Sequence, residues 1–268
     1  MRQWRLIYDP PTRGALNMAR DEAILSAVER GDSPPTLRLY AWQPACLSLG
    51  YGQRAREADI NRLAALGWDV VRRPTGGRAI LHVDELTYSL SLPLSDPIAE
   101  GGIIDSYQRL SGAILAALQS LGARVHAQKQ ESAGELTPVC FDTPSHYEIT
   151  ADGRKLVGSA QLRRRNALLQ HGSLPLVGDI GRICDVLNYS DPNVRSAARA
   201  HVYARAVVLH DVIGHVVNWD QAAHTLADAF AAAFDIVWIV GELSSVERDE
   251  AAVLEAQKYA NLAWTHKR

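Results

Sequence analysis

The chain has 268 residues, with 28 Lys plus Arg against 30 Asp plus Glu, a formal net charge of −2 and three cysteines. A composition of 47% hydrophobic and 22% charged residues is that of a globular protein, which excludes disorder, and the near-neutral charge argues against a dedicated nucleic-acid binder. Three widely spaced cysteines, Cys46, Cys140 and Cys184, exclude a disulfide framework and any CxxC-type metal cluster. The segment Met1-Arg2-Gln3-Trp4-Arg5 lacks the apolar core of a signal peptide. No uncharged apolar run reaches about 18 residues, so a cytoplasmic location with reduced thiols and no membrane partner is expected.

In chain order, Leu16, Ala19, Ala23, Ala27 and Val28 recur at helical spacing, predicting a helix over residues 13–30 that Gly31 stops. Pro34-Pro35 leads into a strand at residues 37–40, and a second strand at 46–49 runs into Gly50-Tyr51-Gly52. A short helix is expected over 58–66, a strand over 68–72, and then a glycine turn at Thr75-Gly76-Gly77. Leu86, Tyr88, Leu90 and Leu92 alternate with polar residues, the pattern of a half-buried strand. Tyr107, Leu110, Ile114, Leu118 and Leu121 form one helical stripe over 104–121, closed by Gly122. Residues 145–161 read as a hairpin around Asp152-Gly153, and a further strand follows from Ala167 to Gly172. Helices are expected over 221–234 and after Ser244, where Ser244 and Glu247 have capping-box spacing. Strands dominate residues 37–175 without regular βαβ alternation. The expected fold is therefore α+β, a mixed or antiparallel sheet flanked by helices, with residues 1–268 as one domain.

Three segments carry residues suited to chemistry. In the first, from Arg72 to His82, Gly76 and Gly77 let the backbone approach a ligand and offer N–H donors, flanked by Arg72, Arg73 and Arg78. A plain hairpin connection explains the glycines equally, and the P-loop pattern is not met. The second segment, Cys140-Phe141-Asp142-Thr143-Pro144-Ser145-His146, sets a cysteine in a Pro-bounded loop near an acid and an imidazole. That context suits a nucleophilic thiolate, or else a small packed side chain. Cys46 and Cys184 lie in apolar segments and read as packing residues. In the third, strand alternation places Lys155, Val157, Ser159 and Gln161 on one face, either a polar pocket wall or a solvated face, while Gly158 and Ala160 leave the other open. The nine histidines fit no zincin spacing, and Asp211 with Asp220 makes no convincing glycosidase pair, so no metal site and no cofactor are expected.

Taken together and in order, these segments resemble the lipoate–protein ligase and octanoyltransferase superfamily, which shares its catalytic fold with biotin–protein ligases. The resemblance rests on residues 16–22, 42–53, 72–82, 85–89, 153–161, His171-Gly172, 256–259 and Trp264. Three details resemble the LipM-type octanoyltransferase group rather than a ligase. Gly76-Gly77-Arg78 stands where ligases usually carry three glycines. Glu85-Leu86-Thr87-Tyr88 stands where they have an Asn-containing segment, and Cys140-Phe141-Asp142 precedes the lysine. The other bacterial octanoyltransferase class places its cysteine after its lysine, and the chain ends at Arg268 without room for an accessory domain.

The resemblance implies octanoyl transfer from acyl carrier protein to a lipoyl-domain lysine, with glycine cleavage H protein as acceptor, through a Cys140 thioester. Lys155 would stabilise the oxyanion and lower the thiol pKa. Arg73, Gly76, Gly77, Arg78, His82, Gly158 and Ser159 are the expected substrate-binding residues, and Leu47, Leu49, Tyr51 and Val157 the expected walls of an acyl slot. The row Arg154, Lys155, Arg163, Arg164 and Arg165 contains no acid and reads either as a steering edge for acidic partners or as a solvated hairpin tip. An amidotransferase moving octanoyl between lipoyl domains, an ATP-dependent ligase and a non-catalytic lipoyl-domain or acyl-binding module are the alternatives.

Overall fold

The computed structural model describes residues 1–128 and 148–267. An eight-stranded mixed sheet forms its centre, in the order β11-β1-β2-β6-β10-β9-β8-β7. Its strands are β1 (Arg2–Tyr8), β2 (Thr36–Tyr40), β6 (Glu85–Pro93), β7 (His126–Gln128), β8 (Glu148–Ala151), β9 (Arg154–Arg163), β10 (Ala167–Pro175) and β11 (Ile236–Val240). A smaller sheet sets β3 (Cys46–Leu49) between β4 (Asp69–Arg72), parallel to it, and β5 (Ile80–His82), antiparallel. The helices are α1 (Gly14–Arg30), α2 (Ile60–Ala65), α3 (Ile103–Ser120), α4 (Pro192–Arg205), α5 (Leu209–Ile213), α6 (Trp219–Phe234), α7 (Ser245–Leu254) and α8 (Leu262–Thr265).

The helix over 13–30 forms as expected, because Gly31 takes the left-handed conformation at its C-cap (φ 82°) and its N–H reaches the carbonyls of Ala27 and Val28. Helix α3 buries its predicted stripe against the large sheet, where Leu110, Ile114 and Leu118 join Leu37, Leu39, Leu90, Leu92 and Leu168 in the main core. Phe230 and Leu226 of α6 complete that layer. Helix α7 starts at the expected capping box: Ser244 Oγ accepts from Glu247 N–H at 3.2 Å, and Glu247 Oε2 from Ser244 N–H at 2.7 Å.

Strand β6 departs from expectation. It is buried on both faces, since Glu85, Thr87, Ser89 and Ser91 are as hidden as the leucines between them. The reason is α1, which covers the second face. There Arg38 of β2, fully buried, donates to Asp21 Oδ1 (2.7 Å) and Asn17 Oδ1 (2.6 Å) of α1 and to Asp9 Oδ2 (2.7 Å). The polar positions of the central strands thus meet a polar helix surface rather than water, and the Arg38 guanidinium is matched by acceptors on that surface.

The face expected for Lys155 is also corrected. Between the pairs Ile149↔Val157 and Thr150↔Lys155 the register shifts, inserting Leu156 into β9. A bulge of this kind reverses alternation, so Lys155 pairs with Thr150 on the face opposite Val157, Ser159 and Gln161. The basic row is not a continuous exposed edge either. Arg163 donates to the carbonyls of Ala99, Gly101 and Gly102 at 2.8–2.9 Å, and Arg164 to Glu22 and Ser26. Among the described residues, no helix is long and apolar enough to cross a membrane.

Candidate active site

Two arginines with separate tasks follow each other here, Arg72 at the end of β4 and Arg73 just beyond it. Arg72 is fully buried and donates to the carbonyls of Gly50 (2.8 Å), Tyr51 (3.3 Å) and Gln53 (2.6 Å) on one side. On the other it reaches Thr265 (2.7 Å) and Trp264 (3.2 Å) of α8. A guanidinium fork with five donors satisfies this many acceptors where an ammonium would not. Arg73 turns to the glycine loop itself: its Nη2 donates to Gly76 O (3.2 Å) and Arg78 O (2.9 Å), and its Nη1 to Ser48 Oγ (2.6 Å) and O (2.9 Å).

These bonds orient the loop. In a trans peptide the C=O of one residue points opposite to the N–H of the next, so drawing the Gly76 carbonyl inward turns the Gly77 N–H outward. Gly76 and Gly77 are exposed, Gly77 has φ 92°, and the Gly77 carbonyl lies against Gly50 so closely that only glycine fits there. Arg78 is half-buried, with its guanidinium 3.7 Å from Glu57.

Beside this loop lies a small pocket between the two sheets. Met18 of α1, Tyr40 and Trp42 form one wall, Arg73, Ile80 and His82 another, and Gly158, Ser159, Ala160, His171, Gly172 and Ser173 the floor, with Thr87 between. Small residues keep that floor open. A Cβ on Gly172 would sit 2.5 Å from the Tyr88 ring and 2.6 Å from Ser159 Oγ. Beneath it Tyr88 Oη and Ser159 Oγ are 2.7 Å apart.

Two imidazoles face the pocket. His82 stacks on the Trp42 indole with ring centroids 4.0 Å apart, and its Nδ1 and Nε2 lie 2.7 Å from Glu85 Oε1 and 2.6 Å from Ser48 Oγ. Trp42 Nε1 donates to Thr87 Oγ1 (2.7 Å), and both Thr87 and Ser173 donate to the Glu85 carboxylate. His171 has its Nε2 2.7 Å from Thr75 Oγ1 and its Nδ1 3.5 Å from Asp21 Oδ2. Burial lowers the His171 pKa, so the ring is neutral at pH 7. Burial opposes ionisation of Asp21, but Arg38, His171 and the Tyr40 hydroxyl together hold it below the usual carboxylate value.

Lys155 is buried, and its Nζ donates to Glu148 Oε1 at 2.8 Å. Its strand carries the pocket floor three residues later at Gly158, and its carbonyl accepts from Val207 N–H at 3.1 Å. Lys155 itself is not among the pocket-lining residues.

Of the expected substrate-binding residues, Arg73, His82, Gly158 and Ser159 line the pocket, while Gly76, Gly77 and Arg78 form the loop that Arg73 holds. Cys140 lies outside the described residues, as do Asp142 and His146. Cys46 and Cys184 are fully buried packing residues, and burial pushes the Cys46 thiol well up. The residues expected as acyl-slot walls do not line this pocket. Leu47 and Leu49 pack away into the cluster of Ala58, Leu63 and Ile183, Val157 joins the main core, and Tyr51 is 45% exposed. The pocket's own wall of Met18, Tyr40 and Trp42 comes from α1 and the residues around β2; Met18 and Trp42 belong to segments already singled out for their sequence resemblance. His171 and Glu85 likewise stood in motifs without an assigned role. Among the described residues no cluster of His, Cys, Asp and Glu has the arrangement of a metal site.

The comparisons with known proteins agree with this geometry. The profile of the lipoyl protein ligase A/B catalytic domain matches residues 13–231. Curated relatives include octanoyltransferase LipM of Kyrpidia tusciae, 41% identical with all of both chains covered. That of Moorella thermoacetica is 40% identical, with 99% of this chain and 98% of the other covered. Among solved structures, the bipartite lipoate protein ligase of Thermoplasma acidophilum superposes with a TM-score of 0.83 at 24% identity, covering 99% of this chain and 97% of its own. A lipoate-protein ligase A bound with ATP gives 0.81 at 24% identity, with 99% of each chain covered. At that identity the structural likeness shows the fold.

Proposed function

The chain belongs to the lipoyl protein ligase A/B catalytic domain family and is an octanoyltransferase of lipoate biosynthesis, and on that premise we propose that it moves octanoyl from acyl carrier protein to a lipoyl-domain lysine through a thioester on Cys140. The observation that carries this reading is the likeness, through the whole chain at 41% identity, to an octanoyltransferase. Residues 1–268 are read as one catalytic domain, and glycine cleavage H protein as the acceptor.

In the first step the Cys140 thiolate attacks the octanoyl carbonyl, and the carrier's thiol leaves with a proton from solvent. Exchange of one thioester for another is nearly isoenergetic, so the acyl group stays activated without ATP. In the second step the neutral acceptor amine attacks the Cys140 thioester, an amide C–N bond forms, the cysteine leaves as thiolate and the amine releases a proton. Lys155 stabilises the oxyanion and the thiolate by its positive charge, and the outward Gly77 N–H is the second donor. The octanoyl tail occupies the pocket of Met18, Tyr40 and Trp42.

Intact-mass spectrometry of the protein mixed with octanoyl carrier protein, without ATP, tests the proposal. One octanoyl adduct is expected, absent in Cys140→Ser and discharged by apo H protein. No adduct, or an adduct retained on Cys46 or Cys184, overturns the mechanism. Lipoate-dependent pyrophosphate exchange would instead mark a ligase.

A further inference from the structure

We infer that Glu85 is a positioning residue for the glycine loop, acting through His82, Ser48 and Arg73; the inference rests on the acyl-transfer reading for its kinetic consequence. The four groups are joined by consecutive contacts of 2.7 Å (Glu85 to His82), 2.6 Å (His82 to Ser48) and 2.6 Å (Ser48 to Arg73), and all four side chains are buried. Arg73 then holds the carbonyls of Gly76 and Arg78.

The donor order follows from the fixed end. Arg73 has only hydrogens to give, so Ser48 Oγ accepts from it. The single Ser48 hydrogen then has two acceptors, His82 Nε2 at 2.6 Å and Ile80 O at 3.5 Å, and the shorter bond wins. For the neutral imidazole this makes His82 Nε2 the acceptor and puts the ring proton on Nδ1, whose N–H donates to the Glu85 carboxylate. With both ring nitrogens engaged, His82 holds its neighbours rather than exchanging a proton with substrate. Glu85 is itself fixed by Thr87 and Ser173, on strands β6 and β10. A rigid point in the large sheet thereby sets the angle of a guanidinium in the small sheet, and the guanidinium sets the loop.

A separate chain holds the near end of the loop. Asp21 and His171 reach Thr75 Oγ1, and Thr75 O accepts the Tyr51 N–H at 2.8 Å. The two chains share no residue, which gives the inference a sharp test. Groups in one network couple on mutation, and groups in separate networks add.

The experiment measures kcat and KM for octanoyl transfer in the wild type, Glu85→Gln, Ser48→Ala, Asp21→Asn and the double variants, with hydrogen exchange of the Tyr51 amide, which the loop holds through Thr75 O, read in parallel as loop exchange. Amides of α3 serve as the control for an intact fold. Glu85→Gln and Ser48→Ala are each expected to lower kcat about 10- to 100-fold with KM for the carrier nearly unchanged, because misplacement of a reacting group acts on the chemical step. Their double variant should be about as slow as the slower single, whereas Glu85→Gln with Asp21→Asn should multiply. The Tyr51 amide should exchange faster in Glu85→Gln and Ser48→Ala while α3 stays protected. Wild-type kcat in Glu85→Gln, multiplication of the Glu85 and Ser48 effects, or unchanged loop exchange each overturns the inference. A wild type that transfers no octanoyl overturns the acyl-transfer reading instead, and loop exchange still decides the positioning role.

Discussion

The carbonyl oxygen of Gly77 lies where a side chain on Gly50 would begin: a Cβ there would be 1.8 Å from it. The turn after β3 and the glycine loop are therefore packed backbone to backbone, and each fixes the other. Gly50→Ala has to push the loop away, at a cost of about 1–3 kcal/mol for an overpacked site. The same shift should slow octanoyl transfer by about 100-fold. Gly76→Ala is the control, since nothing lies within 4 Å of its Cβ position. Its stability should stay within about 0.5 kcal/mol of wild type. Urea denaturation and transfer assays on the two variants check the contrast.

Removing one member of the Lys155–Glu148 pair breaks an ion pair of 2.8 Å in the interior. The two side chains are only 3% and 4% exposed. Glu148→Gln or Lys155→Met should each destabilise by about 3–5 kcal/mol. The double variant should recover part of that loss, because the two charges that face each other are removed together. It should recover no acyl transfer, because the amine is gone. A double variant that transfers octanoyl at the wild-type rate would remove Lys155 from the mechanism.

His171 sets a pH dependence with a definite sign. Its folded pKa lies below the ordinary 6.5, so the unfolded chain binds a proton that the folded chain refuses. Its contribution to stability is full above about pH 6.5 and falls as pH drops below that value. Asp21 acts in a lower window. Its folded pKa lies below 3.8, so its contribution is present above that value and is lost as pH falls through the folded pKa. Urea midpoints should fall between about pH 7.5 and 5.5 in the wild type and fall less steeply in His171→Gln.

Thiol labelling should be selective. Cys46 and Cys184 are fully buried, and Cys46 is held protonated by its surroundings. Neither is expected to react with an alkylating reagent until the protein unfolds. Peptide mapping of native protein should find fast labelling at Cys140 alone, and none in Cys140→Ser. Fast labelling at Cys46 would contradict the packing described here.

Elements with a stripe and a stop were legible in the sequence. Helix α1 ends at Gly31 and α3 buries Leu110, Ile114 and Leu118 because those signals are local. Helix α4 went unread, since only Val202 is buried along it and no stripe marks it. Strands β1 and β11 are defined by pairing with each other across more than 200 residues, which local pattern does not encode. The both-sided burial of β6 and the bulge that turns Lys155 over are tertiary effects of the same kind. At the site, Arg73, His82, Gly158 and Ser159 were legible from motif context. The pocket wall of Met18 and Trp42 was not, because Met18 lies on a helix and Trp42 in an isolated bridge after β2, and only folding sets them facing one cavity.

Arg72 gathers carbonyls from the turn after β3 and, 193 positions later in the chain, from Thr265. Its grip is thus completed by α8, a helix far from β4 in the chain. Displacing residues 264 and 265 would take away that side of the guanidinium's partners, so the turn beneath the glycine loop answers to a segment that touches no substrate.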